Sequence, residues 1–131
     1  VRVESAATQL ITSSAISASG NLFANYSQDG ITGMVNTTGF NNIYLVLFST
    51  GAGSWTVNPQ GYFVDAAKTY FNLGYEPTSN QATLTRAVGA YSLSSGTSIV
   101  LKILDQAPAM QFVGVLTSTS TLTASLYLSP L

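Results

Sequence analysis

Histidine and cysteine are both absent from this chain, and charged side chains are few. Without imidazole there is no Ser-His-Asp or Cys-His nucleophile, and nearly every protein zinc site is removed as well. Without thiols there is no disulfide and no thiolate metal site, so cysteine usage does not report the redox compartment. No uninterrupted apolar run of about 20 residues exists, so no segment reads as a membrane-spanning helix. Ala15-Ile16-Ser17-Ala18 is too short and too polar for the core of a signal peptide.

Charge is scarce in both signs. Arg2, Glu4, Asp29, Asp65, Lys68, Glu76, Arg86, Lys102 and Asp105 amount to 7% of the chain, against about 25% in a typical soluble domain. Four dispersed basic residues and a net charge of −1 give no footprint for nucleic acid, and there is no basic amphipathic stretch for a membrane surface. The carboxylates are scattered in sequence. A glycosidase pair needs two of them about 5 to 10 Å apart, and calcium needs several converging. No metal site and no cofactor are expected. The Gly51-Ala52-Gly53 turn is no phosphate loop, since no lysine follows it. Asn25-Tyr26-Ser27 and Asn36-Thr37-Thr38 match the glycosylation pattern, which chance explains in a chain so rich in Asn, Ser and Thr.

What is present is apolar and hydroxylic. A 13.7 kDa chain with 46% hydrophobic residues and a mean hydropathy of +0.30 has to dress its surface with nine charges and many Ser and Thr side chains. A folded monomer of this size exposes roughly 6,600 Å². Two readings stand: a neutral, hydroxyl-covered secreted or virion-surface domain, or an obligate oligomer that buries part of its surface against identical subunits. The 131 residues suffice for one domain, 1–131, with 1–14 a candidate end of an upstream stalk. The chain opens on Val1 rather than Met, as expected of a fragment or processed product.

Short strands dominate the pattern. Ile99 to Leu104, Phe112 to Leu116 and Thr121 to Leu128 follow one another with turn residues between them. In the last of these Leu122, Ala124, Leu126 and Leu128 fall on every second position, which puts aliphatics on one face and hydroxyls on the other. Asn42 to Phe48 is apolar on both faces: Ile43, Leu45 and Leu47 on one, Tyr44, Val46 and Phe48 on the other. One face belongs to a core, and the second needs a cover from the same chain or from another subunit. Gln28-Asp29-Gly30 and Asn58-Pro59-Gln60-Gly61 read as turns, and Ala15 to Ala18 and Leu22 to Tyr26 as weak strands. Asp65 to Leu73 fits a short capped helix, though Lys68 to Leu73 also fits a strand. Eight to ten short strands in one domain indicate an all-β antiparallel β-sandwich of jelly-roll type.

Tyr91 to Ile103 resembles the leucine, glycine-bearing turn and alternating strand of complement C1q-like and tumour-necrosis-factor-like domains, and Thr119 to Leu128 resembles their terminal strand. The charge-poor, Ser/Thr/Gly-rich character is similar to the trimeric knobs of bacteriophage vertex spikes, as on tailless membrane-containing phages. The resemblance implies a homotrimeric knob on a stalk at the virion surface, facing the host, with a secreted or cell-surface domain as the alternative. Tyr44, Val46, Phe48 and Tyr127 are the trimer-interface candidates. Trp55, Tyr62 and Tyr75, with the turns from Ser49 to Gly61, are the candidates for contact with a host receptor, protein or glycan. The other reading of Trp55 is a core or interface residue. A carbohydrate-binding module and a structural capsid or filament subunit are the alternative functions.

The absence of histidine and cysteine gives a first expectation. Panels of glycans and esters should show no turnover by the purified protein. Reproducible hydrolysis, abolished by replacing one carboxylate, would overturn it.

Overall fold

In a computed structural model, residues 9–28, 31–63, 69–77 and 86–130 are described. Fourteen strands run through them, and no helix occurs among the described residues. They are β1 Gln9–Ile16, β2 Gly20–Asn21, β3 Ser27–Gln28, β4 Ile31–Thr32, β5 Val35–Asn36, β6 Asn42–Gly51 and β7 Ser54–Tyr62. There follow β8 Tyr70–Asn72, β9 Gly74–Pro77, β10 Ala87–Val88, β11 Tyr91–Leu93, β12 Ser98–Ile103, β13 Ala109–Thr117 and β14 Ser120–Ser129.

Two antiparallel sheets form a sandwich. The first has the order β1-β14-β6-β12-β9-β10; the second has β11-β7-β13-β2, with β5 also on β13 and β8 also on β7. The apolar alternation sets which face of each strand turns inward. Ile43, Leu45 and Leu47 of β6, Leu122, Ala124, Leu126 and Leu128 of β14, and Ile99, Leu101 and Ile103 of β12 are all buried. Opposite them lie Trp55 and Val57 of β7 and Met110 and Phe112 of β13. Phe23 lies edge-on to Phe112 at 5.8 Å between ring centres.

Buried hydroxyls are satisfied by carbonyls: Thr37 Oγ1 donates to Ala107 O at 2.6 Å, and Ser120 Oγ donates to Thr50 O at 2.7 Å. The turns that carry the chain from β6 to β7 and from β13 to β14, each crossing between the sheets, clasp each other, with Gly53 N donating to Thr119 O at 2.8 Å. A Cβ on Gly53 would collide with the Thr117 carbonyl, so only glycine lets the two turns meet.

Several local expectations are corrected. Asn58-Pro59-Gln60-Gly61 is not a turn but the middle of β7. The Pro59 carbonyl accepts from Leu73 N at 3.0 Å, so it points away from β13. The N–H that proline lacks would have pointed the same way, where β7's neighbour changes from β11 to β8, and the β13 ladder loses nothing. Consequently the chain from Ser49 to Gly61 is not a loop; only its glycine-bearing turn between β6 and β7 is. Tyr70–Asn72 is a strand, while residues 65–68 lie outside the described residues. Leu22 and Phe23 belong to a turn, buried in the core. Residues 9–13 pair with β14 as part of β1, residues 1–8 lie outside the described residues, and Ala15 sits at a register shift with φ 57. The Asp29-Gly30 turn lies outside the described residues, although Gln28 and Ile31 pair across it.

Trp55 is fully enclosed, its ring against Gly114, where a Cβ would come within 3.1 Å of Trp55 Cζ3. Replacing Trp55 by Ala should therefore cost about 3–5 kcal/mol of folding free energy, read from urea unfolding. A loss below 1 kcal/mol would mean the ring is not a core residue.

Candidate functional site

Among the described residues no group of three or more Asp or Glu side chains converges to hold a metal ion. A cleft of about 260 Å³ between β1 and the turn at 22–26, lined by Ile11, Thr12, Ser13, Phe23, Asn25 and Tyr26, carries no carboxylate or amine. The chemistry lies on the two outer faces of the sandwich.

The outer face of the first sheet is laid out by register. One row runs Leu10, Tyr127, Tyr44, Lys102, Glu76 across β1, β14, β6, β12 and β9. The next runs Thr12, Ser125, Val46, Val100, and the third Thr123, Phe48, Ser98. Tyr44, Val46 and Phe48 therefore form a continuous apolar stripe along the central strand, widened by Tyr127, Leu10 and Val100. Thr, Ser and one Lys–Glu pair of positions surround it. Phe48 is 45% exposed, Tyr127 43% and Leu10 54%, while Tyr44 and Val46 are half-buried. The structure brings all four interface candidates onto one face. No element of the chain covers it among the described residues.

The second sheet's outer face is built differently. Its rows are Asn36, Ala109, Tyr62, Tyr70; then Gln111, Gln60, Asn72; then Asn21, Val113, Asn58; then Val115, Thr56, Ser92. Gln111 Nε2 donates to Gln60 Oε1 at 2.6 Å, and Asn58 Nδ2 donates to Asn72 Oδ1 at 3.2 Å. Tyr62 and Tyr70 stack at 5.8 Å with their planes 29° apart. Asn21 is occupied internally, its amide donating to Gly33 O and its carbonyl accepting from Phe23 N.

Of the three receptor candidates, only Tyr62 reaches a surface. Trp55 is 0% and Tyr75 2% exposed, so both are corrected to core residues. Tyr75 packs edge-on against Tyr91 at 6.3 Å, and burial, reinforced by Tyr91, pushes its phenol above the usual value. Asn58, Gln60, Asn72 and Gln111 escaped the sequence reasoning. The signal was present as Asn58, Gln60 and Tyr62 on alternate positions, but Pro59 and Gly61 made the same letters read as a turn.

The charged groups that are described gather on the first sheet and its margin. Arg86 meets Asp105 through two bonds, Nη1 to Oδ1 at 2.9 Å and Nη2 to Oδ2 at 2.8 Å, and Gly74 N donates to Asp105 Oδ2 at 2.7 Å. This clip ties the start of β9 and the approach to β10 to the turn after β12, where Leu104 N donates to Gly74 O at 2.8 Å.

No family model matches the chain, and no curated protein matches it. Among solved structures, its fold is similar to that of the SPBc2 prophage-derived protein YomS, with a TM-score of 0.52 and 13% identity over 98% of this chain and 100% of that one. At that identity the similarity is one of fold.

The clip carries a pH dependence. The Arg86 guanidinium, then the Gly74 amide, hold the Asp105 carboxyl below the usual carboxylate range. A depressed folded-state value contributes stability that is complete above the unfolded value of about 3.9 and lost as pH falls through the folded one. Thermal unfolding between pH 7 and 2 should show an acid limb below about pH 4 that is shallower in Asp105→Asn. An identical limb in the variant would remove the clip from the acid response.

Proposed function

We propose that the chain is the homotrimeric jelly-roll knob of a phage spike or fibre protein, carried at the virion surface and taking part in host attachment, without enzymatic activity. The observation that carries this is the uncovered stripe of Tyr44, Val46 and Phe48, with Tyr127 beside it, on the outer face of the first sheet. An apolar centre with a hydroxyl rim is the anatomy of a subunit interface, not of a solvated sheet.

Three further observations support it. The main strands follow the order β1-β14-β6-β12 in one sheet and β2-β13-β7-β11 in the other. The chain crosses between sheets at the β6–β7 and β13–β14 connections, as in a jelly roll. The terminal strand β14 lies beside the central strand of the apolar face, the place that the tumour-necrosis-factor-like resemblance implies for a strand near a threefold axis. The solved structure of similar fold comes from a prophage, and a phage structural protein agrees with the low charge and the lack of catalytic groups.

Burying Tyr44, Val46, Phe48 and Tyr127 in each subunit removes several hundred Å² of apolar surface from water, of the order of 10 kcal/mol per subunit at about 25 cal/mol/Å² before association costs. The trimer is then the folded unit. Light scattering at micromolar concentration should give three times 13.7 kDa, and the unfolding midpoint should rise with protein concentration. Phe48→Asp should yield monomers or aggregates. A wild-type mass near 14 kDa with a melting temperature constant over a hundredfold dilution would refute the trimer.

A further inference from the structure

We propose that the outer face of the second sheet binds an uncharged oligosaccharide through Tyr62 and Tyr70 as a stacking platform and through the amides of Gln60, Asn72, Asn58 and Gln111. This deepens the attachment role by giving it a ligand class and a site.

The aromatic pair is the first part. Tyr70 is 58% exposed on a three-residue strand whose alternate position, Phe71, turns toward the core. Its stack on Tyr62 holds the two rings together at one end of the sheet without either filling the core. Such rings offer an apolar plate with a hydroxyl handle, suited to the C–H face of a pyranose.

The amides are the second part. The Gln111–Gln60 and Asn58–Asn72 bonds fix both pairs in place on the sheet, so little side-chain freedom remains to be lost on binding. Gln60 Nε2, Gln111 Oε1 and Asn72 Nδ2 have no partner among the described residues and present donors and an acceptor side by side. Neighbouring sugar hydroxyls, which both donate and accept, match that mixture. At about 3.3 Å per residue the face runs roughly 13 Å from Tyr62 to Asn58, the reach of a short oligosaccharide.

Charge narrows the ligand. Glu76, Arg86, Lys102 and Asp105 all belong to the first sheet or its margin, and every described residue in the rows of this face is neutral. Among the described residues this face offers no cation for a phosphate, a sulfate or an acidic sugar to pair with, which favours a neutral ligand over nucleic acid and anionic polymers. The face is also polar where the first sheet is apolar, so a second copy of the chain is better accommodated on the first.

The test is an array of neutral and anionic oligosaccharides, followed by titration calorimetry with the best neutral one. Saturable binding to neutral glycans is expected. Tyr70→Ala should weaken it about tenfold, the scale of one aromatic contact, while Tyr70→Phe stays within about threefold of wild type. Gln111→Ala should also weaken it, and circular dichroism should be unchanged in all three.

Retention of anionic glycans only, or neutral binding indifferent to both Tyr70→Ala and Gln111→Ala, would overturn the proposal. So would a Tyr70→Ala variant whose solution mass changes, since the face would then be a contact between copies. If the array is blank while the protein still blocks phage adsorption to host cells, the glycan proposal falls and the attachment role stands. If neutral glycans bind at this face but adsorption is never blocked, the site stands and the attachment role falls.

Discussion

Ten consecutive register pairs join β6 to β14, from Asn42 opposite Ser129 to Gly51 opposite Ser120, and the rest of the sandwich is arranged around that ladder. Because side chains alternate, the register decides at once which residues of both strands face the core. A slip of one residue would turn Leu122, Leu126 and Leu128 out and Thr121, Ser125 and Tyr127 in. Both strands are ten residues long, and each connects through a short turn to a strand of the other sheet. The ladder thus fixes the first sheet, and the clasped turns at Gly53 and Thr119 fix the second against it.

The same alternation creates the two outer faces, and they differ because their sequences do. Along β6 the outward positions are Tyr44, Val46 and Phe48; along β7 they are Thr56, Asn58, Gln60 and Tyr62. Water solvates the second series well and the first poorly, so the free energy of covering each is different. A chain with so few charges has little else with which to keep the apolar stripe soluble. Under the proposed self-association through the first face, the amide face stays outward, where an attachment protein would need its contacts. In this arrangement the scarcity of charge and the division between faces go together.

Much of this was legible from periodicity. The alternation in Asn42 to Phe48 and Thr121 to Leu128 gave both strands their inward and outward faces, and the interface candidates follow from the outward set. Other elements were not legible, for identifiable reasons. Asn58-Pro59-Gln60-Gly61 carries local turn chemistry, yet tertiary pairing with β13 overrides it, because Pro59 falls where no donor is needed. Trp55 was judged by the turns on either side of it and Tyr75 by its nearness in sequence, while their burial depends on Gly114 and Tyr91, distant residues that no local window contains. The amide face depends on three strands brought together, so it exists only in the register between β13, β7 and β8. The Arg86–Asp105 clip joins residues whose partnership no spacing rule indicates.

The absence of cysteine makes the central claim, that copies cover the first face and leave the second open, directly measurable. Val46→Cys and Thr56→Cys each place a single thiol at a half-exposed outward position of a strand, one on each face. Thiol labelling of the folded proteins at micromolar concentration compares them. Slow labelling at position 46, quickening as the protein is diluted, together with fast, dilution-independent labelling at position 56, is the expected result. Equal rates at the two positions at every concentration would contradict it.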